Sequence, residues 1–265
     1  GSGNDQIEGG SGNDEIYGGS GDDHLDGGAG IDEVDYSFGV AAVTVDLSAD
    51  TATDSYGDVD TIANVENVTG SDFGDQITGD VGANVLSGKS GDDNILGGAG
   101  NDFIDGGTGN DQIDGGDGSD RLNGGAGNDL LDGGAGNDVL SWEGGENASI
   151  DGGTDNDTLN IGAYTTIDLS GNRTINNIEI IDLVRGDVAA TLTIDAADVV
   201  NMTDARNTLF VVGDGNDAIA DTASNDQFDA GAGNDQLAGG GNDQLAGGGN
   251  DQLLGGGNDQ LAGGG

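Results

Sequence analysis

Aspartates recur every nine residues in the chain and have the chemistry of cation ligands. The longest unbroken series is Asp93, Asp102, Asp111, Asp120, Asp129 and Asp138. Each lies in a unit of the form Gly-Gly-x-Gly-x-Asp-x-U-x, in which U is a large aliphatic residue. Cysteine is absent and His24 is the only histidine, so the pattern offers oxygen ligands. Carboxylates combined with backbone carbonyls suit Ca²⁺ better than Zn²⁺, and better than Mg²⁺, which keeps its waters.

The overall charge agrees with a cation as partner. The chain has 51 acidic and 5 basic residues, a formal net charge of −46. Such a chain repels nucleic acid and anionic membranes, so neither is expected as a partner. We also expect no membrane insertion, because no stretch approaches the roughly 20 apolar residues needed to cross a bilayer. With 33 % hydrophobic residues, an ordinary globular core is not expected either.

The nine-residue unit also defines the elements that position each aspartate. Its glycines permit positive φ and a tight turn, and Asn or Asp at the fifth position tolerates the left-handed region. The first six residues are therefore predicted to form a turn, and x-U-x a short strand. Two units make one coil, with strands on opposite walls and the U residues between them. Stacked coils predict an all-β fold, a parallel β-roll or β-solenoid.

A single coil of this kind is not expected to be stable without a cation. Each unit buries only one Ile or Leu, which does not offset the entropy of ordering nine backbone residues, several of them glycine. Stacked turns also align carboxylates along each edge, where they repel one another until a cation lies between them. Calcium binding and folding are therefore predicted to be one event.

The nonapeptide resembles the RTX (repeat-in-toxin, hemolysin-type) calcium-binding repeat. The resemblance implies a parallel β-roll with several Ca²⁺ ions between neighbouring turns, each held by the sixth-position aspartate and by turn carbonyls. The implied side-chain ligands are Asp5, Asp14, Asp23, Asp93, Asp102, Asp111, Asp120, Asp129, Asp138, Asp217, Asp226 and Asp235. The implied carbonyl ligands, at the first and third positions, are Gly97, Ala99, Gly106, Thr108, Gly115, Asp117, Gly124 and Ala126. It also implies type I secretion and folding outside the cell.

Composition divides the chain into six segments. We predict an RTX repeat block over 1–35, a β spacer continuing the solenoid over 36–69, the main repeat block over 70–141, a non-repeat β module over 142–212, further RTX repeats over 213–238 and a glycine-rich octapeptide tail over 239–265. Within the non-repeat module, Asp195 is predicted to cap a short helix from Ala196 to Met202. Both ends of the chain fall inside repeats, so we expect it to be part of a longer protein.

Two places depart from the nonapeptide. In the units that begin at Gly70 and Gly79, Phe73 and Val81 disturb the glycine pattern and Asn84 replaces the aspartate, which weakens the expectation of calcium there. In the tail, the aspartates step by eight residues rather than nine, so one turn residue is missing. If the third-position carbonyl is a ligand, the tail sites are impaired and the register with nine-residue coils changes.

Two functions remain open. The chain contains no His-Glu-x-x-His, no Gly-x-Ser-x-Gly and no second histidine, so we predict that it is not an enzyme. The preferred function is a calcium-binding structural segment of a secreted or cell-surface bacterial protein (an adhesin, surface-layer protein or matrix fibre), because the non-repeat segments resemble those of large RTX adhesins. The alternative is the C-terminal accessory roll of a type I-secreted lipase, protease or epimerase. Exposed strand edges at solenoid ends also predict self-association into fibres or layers.

Overall fold

The computed structural model describes residues 1–142, 149–161, 167–168, 174–182, 191–193, 210–212, 218–220, 227–240 and 242–263. All regular secondary structure in these segments is β-strand. Within them there is accordingly no helix with the length and hydropathy needed to cross a bilayer. The helix predicted over 196–202 lies outside the described residues. The chain forms two compact units, Gly1–Asp138 and Val139–Gly265.

The first unit contains strands β1 to β15. Their bounds are β1 Gln6–Ser11, β2 Glu15–Ile16, β3 His24–Ala29, β4 Glu33–Asp35, β5 Thr44–Asp46, β6 Thr51–Thr53, β7 Val59–Ala63, β8 Asn67–Thr69, β9 Gln76–Thr78, β10 Val85–Ser90, β11 Asn94–Ala99, β12 Phe103–Thr108, β13 Gln112–Asp117, β14 Arg121–Ala126 and β15 Leu130–Ala135.

The second unit contains strands β16 to β29 among its described residues. Their bounds are β16 Val139–Trp142, β17 Ser149–Asp151, β18 Thr158–Ile161, β19 Ile167–Asp168, β20 Thr174–Asn176, β21 Ile180–Asp182, β22 Thr191–Thr193, β23 Phe210–Val212, β24 Ala218–Ala220, β25 Gln227–Gly233, β26 Gln236–Gly240, β27 Gln244–Gly249, β28 Gln252–Gly256 and β29 Gln260–Gly263.

The strands of the first unit form two walls. Their orders are β1-β3-β7-β6-β5-β9-β11-β13-β15 and β2-β4-β8-β10-β12-β14. In the repeat blocks, neighbouring strands are parallel and lie 18 residues apart, so Ile104 of β12 is paired with Leu86 of β10 and Leu122 of β14. Each coil therefore consists of two nonapeptides with one strand on each wall. This confirms the predicted all-β fold of stacked parallel coils.

The repeat strands are longer than the predicted x-U-x. Strand β12 runs Phe103–Thr108 and so includes the Gly-Gly-x that opens the next nonapeptide. Gly107, with φ of 101°, pairs with Gly125 of the next coil, and a Cβ at Gly107 would collide with the carbonyl oxygen of Lys89. Because glycine lets the coils approach this closely, their backbones pair directly at these positions. The turn is then confined to the remaining Gly-x-Asp.

In the main repeat block of the first unit, the core consists of two stacks of single aliphatic side chains. One stack is Leu86, Ile104 and Leu122, and the other is Ile77, Ile95, Ile113 and Leu131. None of these side chains is more than 2 % exposed. The preceding residue on each strand faces outward, as Phe103 does with 47 % exposure. This alternation is the period of a strand, and it lets a chain with few apolar residues bury one per nonapeptide.

The spacer supplies strands to the same two walls although it lacks the glycine period. Strand β7 pairs in parallel with β3, and β8 with β4. Strand β6 lies between β5 and β7 and is antiparallel to both. Only a few residues join β5 to β6 and β6 to β7, and connections this short permit only antiparallel pairing.

The described strands of the second unit pair in parallel. Their orders are β16-β18-β21-β23-β25-β27-β29, β19-β22-β24-β26-β28 and β17-β20. In the tail, Leu237 of β26 pairs with Leu253 of β28, and Leu245 of β27 pairs with Leu261 of β29. These partners lie 16 residues apart, so two octapeptides still complete one coil, two residues shorter than the nonapeptide coil.

Candidate metal centre

The sixth-position aspartates of the main repeat block form ladders that run from coil to coil. Their side chains are buried, with 1–2 % exposure for Asp93, Asp102, Asp111 and Asp120 and 7 % for Asp129. In each ladder the backbone N–H of one aspartate donates to Oδ1 of the aspartate 18 residues later. The distances are 2.8 Å for Asp93 to Asp111, 2.8 Å for Asp102 to Asp120, 3.0 Å for Asp111 to Asp129 and 2.8 Å for Asp120 to Asp138. The stacked neighbour therefore fixes each carboxylate.

The second carboxylate oxygen of four of the ladder aspartates lacks a hydrogen-bond partner. Oδ2 is buried and accepts no hydrogen bond in Asp93, Asp102, Asp111 and Asp120. A buried carboxylate oxygen in this state is unfavourable, because it has lost water without gaining a donor. A cation is the group that would stabilise it.

The unpartnered oxygens point at the first glycine of their own nonapeptide. A Cβ built on Gly106 would lie 2.5 Å from Asp111 Oδ2 and 2.9 Å from the carbonyl oxygen of Gly124 in the next coil. At Gly115 the corresponding distances are 2.6 Å to Asp120 Oδ2 and 2.6 Å to the Gly133 carbonyl. A carboxylate and a first-position carbonyl thus converge beside each of these glycines. The space exists only because the residue is glycine.

The third-position carbonyls are placed differently from the first-position ones. Thr108, Asp117 and Ala126 each accept a backbone N–H from the fourth-position glycine of the preceding coil, at 2.8 to 2.9 Å. One lone pair of each carbonyl is therefore used in coil-to-coil pairing, and the other remains for a ligand role.

The donor set of these positions is one that calcium accepts. Among the described residues, no three or more His, Cys, Asp or Glu side chains gather where a metal could lie. Each position instead offers a carboxylate oxygen with backbone carbonyl oxygens. Ca²⁺ takes such mixed oxygen ligands in flexible geometry, whereas Zn²⁺ prefers nitrogen and sulfur ligands. The residues present therefore fit calcium.

The electrostatics of the ladders favour protonation when no cation is bound. Burial raises the pKa of Asp93, Asp102 and Asp111 to about 6, and neighbouring carboxylates in the ladder add to the rise. Burial likewise raises the pKa of Asp120 and Asp129. A bound proton or a bound cation would neutralise the same carboxylate, so the two compete for it.

The first repeat block begins the same ladders. The N–H of Asp5 donates to Asp23 Oδ1, and that of Asp14 donates to Asp32 Oδ1, both at 2.8 Å. Asp23 and Asp32 are buried, whereas Asp5 and Asp14 are half-buried. Oδ2 lacks a partner in Asp14, Asp23 and Asp32. Asp32 was missing from the predicted ligands although it fills the sixth position of its nonapeptide.

Acidic residues that the sequence analysis missed carry the ladders into the spacer. The N–H of Asp23 donates to Asp60 Oδ1 at 3.0 Å, and that of Asp32 donates to Glu66 Oε2 at 2.8 Å. Asp60 and Glu66 each precede an aliphatic residue by two positions, at Ile62 and at Val68. The tripeptide acidic-x-aliphatic thus persists after the glycines are lost. It is the signal that could have identified these residues.

In the two degenerate units, which begin at Gly70 and Gly79, both polar atoms of the sixth-position side chain have hydrogen-bond partners. Asp75 accepts the N–H of Val43 on Oδ1 and the N–H of Ser71 on Oδ2. Asn84 accepts the Asp80 N–H on Oδ1 and donates from Nδ2 to the Glu66 carbonyl at 2.7 Å. Both side chains are therefore satisfied within the protein, and neither presents an unpartnered buried oxygen to a cation.

The second unit contains related pairs. Asp157 donates its N–H to Glu179 Oε2 at 2.8 Å. In the tail, Asp235 donates to Asp251 Oδ1 at 3.3 Å and Asp243 donates to Asp259 Oδ1 at 3.2 Å. The tail bonds are longer than those of the nonapeptide ladders. Asp217 and Asp226, two of the predicted ligands, lie outside the described residues.

Comparison with known families identifies these coils. The RTX calcium-binding nonapeptide repeat matches the chain in four copies, over residues 1–34, 69–104, 105–140 and 211–245, more than half of its length. The chain belongs to the RTX calcium-binding repeat family. RTX nonapeptides bind Ca²⁺ and occur in secreted bacterial proteins, where they have a structural role. A comparison with curated proteins found no match. The RTX matches include the ladder aspartates of the main repeat block.

Proposed function

We propose that this RTX chain is a calcium-binding structural segment of a secreted or cell-surface bacterial protein, and that it becomes rigid when it meets extracellular calcium. The observation that supports this most directly is that Oδ2 of Asp93, Asp102, Asp111 and Asp120 is buried without a hydrogen-bond partner, each beside a first-position carbonyl of the next coil. Such atoms disfavour the stacked state unless a cation neutralises them.

The residues have separate roles in this proposal. The ladder aspartates supply the charged oxygen, and the N–H of the preceding coil orients it through Oδ1. The first-position glycines supply carbonyl oxygens and leave the space for an ion. Calcium, when bound, supplies the positive charge that lets the carboxylates be buried. Because each position depends on atoms of three successive coils, occupation of one favours ordering of the next, and folding is cooperative along the stack.

The proposed location follows from the affinity of such modules. Extracellular calcium modules bind at about 10⁻⁴ to 10⁻³ M, far above the calcium concentration of a cytosol. The chain would then remain unfolded before export by a type I system and fold outside the cell. We assign it no catalytic role.

A calcium titration followed by far-UV circular dichroism tests the proposal. The control is magnesium at equal ionic strength. We expect a cooperative transition from coil to β structure with calcium alone. At pH 8, a chain that is already β-structured in chelator, or that responds equally to magnesium, would overturn the proposal.

A role as part of an adhesin, surface layer or fibre remains a prediction within this proposal. The non-repeat spacer supports it, because β7 and β8 extend the walls formed by β3 and β4 instead of ending them. Self-association is its measurable consequence. Sedimentation velocity in calcium would show concentration-dependent oligomers, and a monomer at every concentration would count against fibre or layer formation.

A further inference from the structure

A cleft of about 370 Å³ opens in the first unit, beside the end of β4 and the loop that follows it. Four aromatic side chains line it, Tyr17, Tyr36, Phe38 and Tyr56, together with the carboxylates of Asp35 and Asp54. The chain has only 1 Trp, 4 Tyr and 5 Phe, so this one place holds a large share of its aromatic residues. We call it the aromatic cleft.

The aromatic rings at the rim are not part of the core. Phe38 is 79 % exposed and Tyr56 is 57 % exposed, whereas Tyr36 forms the buried floor with 8 % exposure. The ring centroids of Tyr17 and Phe38 lie 5.5 Å apart with an interplanar angle of 49°. Exposed rings that converge on one cleft, rather than scatter over the surface, mark a place where a ligand binds.

The cleft is lined by acidic side chains and by no basic one. No lysine, arginine or histidine lines it. The Tyr17 hydroxyl donates to Glu15, and the Tyr36 hydroxyl donates to Asp60 Oδ2 at 3.1 Å, so further carboxylates lie next to these tyrosines. Both hydroxyl protons are held by carboxylates. A positively charged ligand is therefore favoured over a neutral or anionic one.

Both carboxylates at the cleft already accept hydrogen bonds from the backbone. Asp35 Oδ1 accepts the Ser37 N–H at 2.6 Å. Asp54 Oδ1 accepts the N–H groups of Tyr56 and Asp58 at 2.8 and 2.9 Å. Asp54 Oδ2 has no hydrogen-bond partner but is buried, so a ligand in the cleft would be attracted by its charge without a direct hydrogen bond to it. A sugar needs several free hydrogen-bonding partners, whereas the cleft offers mainly ring faces and the field of carboxylates. These favour a cation that has no N–H or O–H on its charged group.

We propose that the aromatic cleft binds a small quaternary ammonium cation. The faces of Tyr17, Phe38 and Tyr56 contact its methyl groups, and Asp35 and Asp54 neutralise its charge. Cation–π attraction suits such a cation because it is weakly hydrated, whereas Ca²⁺ holds its water or takes oxygen ligands. Gly18 borders both the cleft and Asp23 Oδ2, whereas the aromatic and acidic residues that contact the cation belong to no proposed calcium position.

Choline is the probe, and its uncharged carbon isostere 3,3-dimethylbutan-1-ol is the matched control ligand. Both are titrated into the full chain in saturating calcium, and the amide NMR shifts of residues 36–39 and 54–56 are followed. We expect choline to bind at least about tenfold more tightly than the isostere. Phe38→Leu removes the ring but keeps the apolar contact, and it should weaken choline binding about two- to fivefold. Phe38→Tyr should retain it.

Two further variants separate the cleft from general effects. Phe103→Leu removes an exposed ring on the outer face of β12 and should leave choline affinity unchanged. Asp54→Asn keeps the Oδ1 acceptor for the loop but removes charge, so it should weaken choline and spare the isostere. Equal binding of choline and isostere, an unchanged affinity in Phe38→Leu, or glucose shifting these resonances while choline does not would each overturn the proposal. Circular dichroism in calcium checks that each variant is folded.

Discussion

The backbone N–H of Asp93 donates to Oδ1 of Asp111 in the next coil, at 2.8 Å. This bond leaves Asp111 Oδ2 directed at Gly106, beside the carbonyl oxygen of Gly124. Three successive coils therefore contribute to one candidate calcium position. A position of this kind does not exist in an isolated nonapeptide, so the proposed calcium binding requires stacked coils.

Asp111→Asn should remove one calcium position without removing the ladder hydrogen bond. An asparagine oxygen still accepts the Asp93 N–H, but the charged Oδ2 is lost. We expect one fewer bound ion in native mass spectrometry and a higher calcium concentration at the folding midpoint. In chelator the variant should be as stable as the parent or more so, because an unpartnered buried oxygen costs about 1–3 kcal/mol.

Asp117→Asn is the matched control for Asp111→Asn. It removes the same charge from the same coil, but the Asp117 side chain is exposed and only its carbonyl is a predicted ligand. Its ion count should equal that of the parent. Loss of an ion in both variants would mean that overall charge, rather than the buried ladder, determines calcium binding.

Gly106→Ala should block the same position sterically. The new Cβ would lie 2.5 Å from Asp111 Oδ2 and 2.9 Å from the Gly124 carbonyl, where the ion is expected. Overpacking of this kind costs roughly 1–3 kcal/mol. We expect a lower free energy of unfolding in calcium and the loss of one ion, measured by urea denaturation and native mass spectrometry.

The control for this substitution is Gly256→Ala. Gly256 has open space where a Cβ would be, and its φ is not in the left-handed region. It should leave both stability in calcium and ion count nearly unchanged. An alanine at Gly106 that is tolerated equally well would contradict the assignment of this space to a cation.

The nonapeptide spacing was enough to predict the coil, its 18-residue stacking and the buried aliphatic stacks such as Leu86, Ile104 and Leu122. These features follow from local periodicity. Strand length was predicted too short because coil-to-coil pairing, visible at Gly107 and Gly125, is not a property of one unit. Asp60 was missed for a related reason, since its role depends on Asp23, which lies 37 residues earlier.

Acid should stabilise the calcium-free chain. Burial raises the pKa of Asp93, Asp102 and Asp111 to about 6 in the folded state, whereas an unfolded aspartate has a pKa of about 3.9. The folded state therefore binds more protons between these values. The raised pKa values therefore contribute a stability to the folded state that is fully present below about pH 4 and is lost as pH rises through about 6. Calcium and protons then compete for the same carboxylates.

Circular dichroism at about pH 5 and pH 8 checks whether the calcium-free chain loses stability as pH rises. In chelator, the β signal should be larger at pH 5. In the calcium titration, the midpoint should shift to higher calcium at pH 5 than at pH 8. A calcium-free chain that gains structure as pH rises would contradict the raised pKa values. Sedimentation at both pH values excludes aggregation near the isoelectric point, about 4.1, as the cause.

Asn84→Asp should create a calcium position where the chain now uses hydrogen bonds. Asn84 is 1 % exposed, and its Oδ1 and the Gly97 carbonyl both approach the space beside Gly79, as in a regular nonapeptide. Its Nδ2, however, donates to the Glu66 carbonyl. An aspartate there cannot donate, so two oxygens would face each other and the calcium-free state would be destabilised. Calcium would relieve the added charge.

We expect one more bound ion than in the parent, together with a steeper dependence of stability on calcium. Asn101→Asp is the control, because it adds the same charge at an exposed fifth position, where Asp22 and Asp92 already occur in other nonapeptides. Its ion count should not change. If Asn84→Asp also left the count unchanged, the sixth-position carboxylate would not by itself determine where calcium binds, and the role proposed for the whole ladder would have to be reassigned to the carbonyls.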